Sequence, residues 1–209
     1  FTDGYRSLSE EFGVPLLGGD TTSSQDRIAI NVTAIGRIAR AKVKYRSGAR
    51  ENDIVYVTGY LGDSAQGLLD IRSGVYDSPF VAVHHDPHPC VNEGIWLGNQ
   101  PEVHAMMDIS DGLASDLPHI LEESETGAEI SIERIPTRTT VELAVTGGED
   151  YQLLLTVGAE AADRIAAEYV RHFGKPLYGI GRIRSGAPDI IWSDNGEVVR
   201  PQWKGFRHF

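Results

Sequence analysis

Apolar residues recur at helical spacing at the start of the chain, where Tyr5, Leu8 and Phe12 predict a helix over residues 2–12 that Gly13 ends. Val14 to Leu17 then reads as a short buried strand, and from Arg27 to Arg37 Ile28, Ile30, Val32 and Ala34 alternate with small or polar residues as a half-buried strand does. The pattern restarts after residue 50, with a strand from Asp53 to Thr58 and an amphipathic helix from about Ser64 to Arg72. SGVYDSPFVAVHHDPHPCV carries too many Pro, His and Asp residues for regular structure and reads as a connection, with a helix resuming at Val91 and running to about Leu97. VHAMMD is a strand ending at Asp108. LASDLPHILEES places Leu113, Leu117, Ile120 and Leu121 on one helical face, with Pro118 expected to delay the regular part of that helix. Strands in AEISIERIP, QLLLTV, LYGIGRI and DIIWSD, and a strongly amphipathic helix in AEAADRIAAEYVRHF ended by Gly174, complete the pattern.

Strands alternating with helices, without internal repeats or heptads, predict an α/β (α+β layered) architecture. The strand run ends and the charge shifts between residues 38 and 50, which places a boundary between a unit of residues 1–40 and one of residues 41–209. Composition sharpens this picture by exclusion. At 41% hydrophobic and 23% charged residues the chain is an ordinary soluble protein, and no apolar run reaches the length of a membrane span. The single Cys90 excludes an intrachain disulfide and a cysteine-cluster zinc site, which fits a reducing, cytoplasmic setting. A formal charge of −11 argues against a nucleic-acid surface. Between Arg37 and Arg50, however, six of fourteen residues are Lys or Arg, a basic island that reads mainly as a solvated edge but could offer one or two cations to a phosphate.

Three glycine-acid turns carry the candidate chemistry: GGDTT with Asp20, DISDG with Asp108, Ser110 and Asp111, and GGEDY with Glu149 and Asp150. Each follows an apolar segment. Hard cations such as Mg²⁺ take one or two carboxylates together with phosphate oxygens, and bare glycine backbone can approach an anion closely, so the three turns together suit a nucleotide-metal site. Taken singly, each reads as an Asx-turn, a helix cap or a strand boundary. The P-loop, GxSxG and HExxH signatures are absent. HHDPHP could bind a transition metal, but its prolines read as a surface loop.

LLGGDTTSS, RSGARENDIVYVTGYLGDSAQGL, MMDISDGLASDLPHI and TGGEDYQLLLT, in that order, resemble the thiamine-monophosphate kinase family, a branch of the aminoimidazole ribonucleotide synthetase-like superfamily. The resemblance implies the end of an N-terminal ferredoxin-like dimerisation domain followed by a C-terminal α/β domain, assembled as a homodimer. It implies Mg²⁺-dependent transfer of the γ-phosphoryl group of ATP to thiamine monophosphate. Carried over by position, Gly19, Asp20, Arg46 and Ser110 resemble ATP-binding residues, Asp20, Asp108 and Asp111 metal ligands, and Glu149 and Phe206 substrate contacts. No residue resembles a general base, which a phosphate acceptor does not need. Alternatives are a superfamily relative acting on another small metabolite and a noncatalytic nucleotide-binding or dimerisation module. Family members carry an Asp-rich segment with a substrate-contacting His ahead of the residues matched here, so little catalysis is expected from the present residues alone. The connection after Pro136 is short for the family, and Cys90 stands where the family pattern places Arg.

Overall fold

In the computed structural model, which describes residues 1–203, the chain divides into one unit of residues 1–39 and a second that begins at Arg40. In the first unit, helix α1 (Thr2–Phe12) forms as its spacing predicts, and Gly13 closes it with a left-handed backbone, φ 62°. The strands expected at residues 14–17 and 27–37 do not form: Ile28 is 91% exposed and Ile35 80%, with no partner strand in the ladders described. Alternation suits a pleated surface, but a strand needs neighbours for its backbone and something for its apolar face to cover.

The second unit is built on one mixed sheet of seven strands, β1 (Ile54–Val57), β2 (Val103–Asp108), β3 (Gly127–Ser131), β4 (Leu153–Val157), β5 (Tyr178–Arg184), β6 (Ile190–Asp194) and β7 (Glu197–Val199), in spatial order β2-β4-β1-β5-β3-β6-β7. All neighbours are antiparallel except β3 and β6, which run parallel. Alternation along each strand feeds two cores. Val55, Val57, Ala105 and Leu154 pack on one side with α5 (Leu113–Ser124) and α6 (Val141–Thr146). Tyr56, Val103, Leu155 and Val157 pack on the other with α4 (Val91–Gly98) and α7 (Ala162–Phe173). Helices thus cover both faces of the sheet, in keeping with the layered α/β architecture that the sequence pattern predicts.

Two expectations about helices are corrected. The connection before Val91 contains α3 (Pro79–His85), because Ser78 caps it through its hydroxyl, which accepts from the Val81 N–H, and Pro79 occupies the first turn, where its missing N–H is not needed. It packs on α2 (Asp63–Arg72), closely enough that a Cβ at Gly67 would overlap the Phe80 carbonyl. Helix α5 runs straight through Pro118. Leu113, Leu117, Ile120 and Leu121 are fully buried, and at about 1.5–3 kcal/mol each they outweigh the roughly 3 kcal/mol that an interior proline costs. Helix α6 was not anticipated; Thr140 caps it by accepting the Leu143 N–H.

Candidate active site

Because β2 and β4 are antiparallel with Asp108 opposite Leu153, the turn leaving β2 lies beside the turn entering β4. Three backbone hydrogen bonds join them: Ile109 N–H to the Gln152 carbonyl at 2.8 Å, Tyr151 N–H to Ile109 at 2.9 Å, and Glu149 N–H to Ser110 at 2.8 Å. Gly148 permits this approach, since a Cβ there would collide with the Ser110 carbonyl oxygen. DISDG and GGEDY are thus two halves of one structure.

Each half is held by a buried carboxylate. Asp116, in the first turn of α5, accepts from the N–H groups of Ser110 at 2.9 Å and Asp111 at 3.0 Å. Burial raises its pKa above the ordinary value, the two N–H donors oppose that, and the charges of Asp111 and Asp108 add to it. Asp150 points inward and accepts from Gly62 N–H at 2.7 Å and Ser64 N–H at 3.2 Å, at the start of α2. Its carboxyl is pushed up to about 6 by burial, against the pull of those N–H groups. On either side of it, Glu149 and Tyr151 take left-handed backbone, φ 66° and 49°. Such conformations cost non-glycine residues on the order of 1 kcal/mol or more and persist where surrounding contacts fix them. The effect is that Asp150 anchors the turn while Glu149 and Tyr151 face outward, both exposed.

The outward face is acidic. The Tyr151 hydroxyl is pushed up by burial and then by Glu149, Asp108 and Asp111, which places all three carboxylates in one electrostatic neighbourhood. Glu149 also meets α3: His84 Nδ1 lies 3.5 Å from Glu149 Oε2 and 2.9 Å from Ser64 Oγ. Below this rim, Asp63 pairs with Arg138, whose guanidinium sits 4.9 Å above the Tyr60 ring.

Of the residues singled out in the sequence, Asp108, Ser110, Asp111 and Glu149 are therefore brought together at one end of the sheet. Arg46 is not among them. Its carbonyl accepts from Ser124 Oγ at 2.7 Å, at the far end of the 12-residue α5, and a helix of that length spans about 18 Å. Gly19 and Asp20 belong to the first unit, where the Asp20 carboxylate accepts the N–H of Thr21 at 2.8 Å and both residues are exposed. Phe206 lies outside the described residues. Among the described residues, no three His, Cys, Asp or Glu side chains converge as a preformed metal centre. Asp116 and His84 were missed by sequence reasoning. Asp116 had a signal, an acid in the first turn of a helix that opens with a glycine turn, whereas His84 looked like part of a loop.

The C-terminal domain of AIR synthase related proteins matches residues 50–192, and the N-terminal domain of the same proteins matches residues 1–38. Thiamine-monophosphate kinase of Escherichia coli K12 is 33% identical over 226 aligned positions, covering 100% of this chain and 68% of its own. The chain belongs to the thiamine-monophosphate kinase family. The Bacillus subtilis 168 member is likewise 33% identical, covering 99% of this chain and 68% of its own. A solved structure of AaThiL complexed with AMPPCP and TMP is 30% identical, with a TM-score of 0.62, covering 78% of this chain and 53% of that one. The chain thus spans about half of that kinase's solved chain and two thirds of the bacterial sequences. The acidic rim just described falls within the stretch matched by the C-terminal domain of AIR synthase related proteins.

Proposed function

We propose that the protein transfers the γ-phosphoryl group of ATP to thiamine monophosphate, giving thiamine diphosphate and ADP. The observation that carries this reading is the joining of DISDG to GGEDY, which sets Asp108, Ser110, Asp111 and Glu149 on one rim. The names of the relatives, and the AMPPCP and TMP bound by AaThiL, support it.

The donor set fits magnesium. Asp108 and Asp111 offer hard carboxylate oxygens, and Mg²⁺ is satisfied by one or two carboxylates with water and phosphate oxygens, so a closed cage of three protein ligands is not required. In this reading Asp108 and Asp111 hold the metal, which when bound would offset the negative charge of the two phosphate groups. The protein's own part is positioning. The Ser110 hydroxyl orients the nucleotide phosphates, and Glu149 attracts the cationic thiamine ring system. The acceptor phosphate is already ionised near neutral pH, so no side chain has to remove a proton before transfer.

The same reading includes a homodimer built through the N-terminal unit and a cytoplasmic setting. The exposed Ile28, Ile30, Val32 and Ile35 support the first, as a row of apolar side chains suited to a partner surface. No helix among the described residues is long and apolar enough to cross a membrane. Incubating the full-length protein with ATP, Mg²⁺ and thiamine monophosphate tests the activity: thiamine diphosphate should accumulate, and its absence at saturating substrates would refute the proposal.

A further inference from the structure

We infer that His84 is a positioning residue that competes with the cationic substrate for Glu149 and so makes substrate affinity fall as the imidazole takes up its second proton. The inference rests on the reading of Glu149 as the carboxylate that attracts the thiamine ring system.

The geometry behind it is specific. One nitrogen of His84, Nδ1, faces two groups at once, Ser64 Oγ at 2.9 Å and Glu149 Oε2 at 3.5 Å. Ser64 is buried in the first turn of α2 and the His84 side chain is 17% exposed, whereas the Glu149 side chain is 58% exposed. The imidazole is held firmly, because α3 packs on α2 at Gly67, where a Cβ would meet both the Phe80 carbonyl and His84 Cβ. A neutral ring can accept the Ser64 hydroxyl proton at Nδ1 and then has no hydrogen to offer Glu149. A doubly protonated ring must donate from Nδ1, and the acceptors in reach are Ser64 Oγ and the Glu149 carboxylate, of which only the carboxylate gains a charge pair. Neutral His84 therefore leaves the Glu149 charge available to a ligand, and protonated His84 engages it.

The charged and titratable groups facing this pair come from every element packed around it. On α3 itself the His85 ring lies 6.0 Å from that of His84. From the start of α2 comes Asp63, beside the inward-turned Asp150 of the same turn as Glu149. From the turn after β2, Asp108 and Asp111 share the neighbourhood of Glu149 and Tyr151. Arg138 is tied to Asp63. Glu149 is the carboxylate in contact with His84 Nδ1, so the imidazole reports on that residue ahead of its acidic neighbours.

The test compares thiamine monophosphate binding to the full-length protein at about pH 5 and about pH 8. Calorimetry with Mg²⁺ present, on wild type, His84→Gln and Glu149→Gln, is paired with KM and kcat in the activity assay. The substrate phosphate titrates in all three proteins, so the ratio of variant to wild type carries the information. The expected result is that wild type loses affinity at the acid end by about fivefold more than His84→Gln, the size of one partly exposed charge contact, with KM following and kcat unchanged. Glu149→Gln should bind weakly at both ends. If Glu149→Gln weakens binding but His84→Gln keeps the wild-type pH profile, the competition is refuted. If Glu149→Gln binds as wild type does, the underlying reading of Glu149 is refuted instead. Circular dichroism melts of both variants identify any loss of fold.

Discussion

Replacing Asp150 by Asn removes a titratable group that holds the strained 149–151 turn to the start of α2. The ordinary value for this carboxyl is 3.8 and burial pushes it to about 6 in the folded protein. The folded state therefore binds the proton more tightly than the unfolded chain does, and the sign follows. The stabilising contribution of this group is complete below about pH 4 and is lost as pH rises through about 6, after which the buried charge costs the fold about 3 kcal/mol. Asn cannot ionise, so that loss should vanish. Urea unfolding of wild type and Asp150→Asn at about pH 4 and about pH 7 reads it as a double difference, in which the other carboxylates cancel because they are common to both proteins. Wild type should lose about 2.5 kcal/mol more than the variant over this interval, whatever the variant's absolute stability. Two profiles parallel to within about 0.5 kcal/mol would show that Asp150 is stably ionised by its two N–H donors, and the burial argument would fail.

Gly148→Ala forces a Cβ against the Ser110 carbonyl; it should destabilise the protein by about 1–3 kcal/mol in chemical denaturation and lower kcat in the full-length protein by spreading the two turns. Pro118→Ala restores a backbone hydrogen bond inside α5 and should raise stability by about 1–3 kcal/mol, seen as a higher urea midpoint with unchanged activity.

Much of the second unit was legible because its signals are local. Leu113, Leu117, Ile120 and Leu121 mark one face of α5 whatever surrounds them, and the alternation in β1 and β4 reports two buried sides. Family resemblance also reached DISDG and GGEDY from sequence alone. Their junction could not be read, because it depends on the register of β2 against β4, set by residues some fifty positions apart. The inward turn of Asp150 was hidden for the same reason: in the string GGEDY it looks like a second outward acid, and only the N–H groups of Gly62 and Ser64 distinguish it. Where pattern misled, at residues 27–37, alternation was present but the partner strands that convert it into a sheet were not.

The central claim is that the joined turns form a magnesium-nucleotide site, and calorimetric titration of the full-length protein with AMPPCP tests it most directly. With Mg²⁺ present, Asp108→Asn should bind about tenfold more weakly than wild type, the loss expected for one charged contact of about 1.4 kcal/mol, while without Mg²⁺ the two should bind alike and their melting curves should coincide, since Asp108 is exposed at the end of β2. Equal affinities with Mg²⁺ present, or a collapse of the melting transition with nucleotide binding intact, would contradict the account.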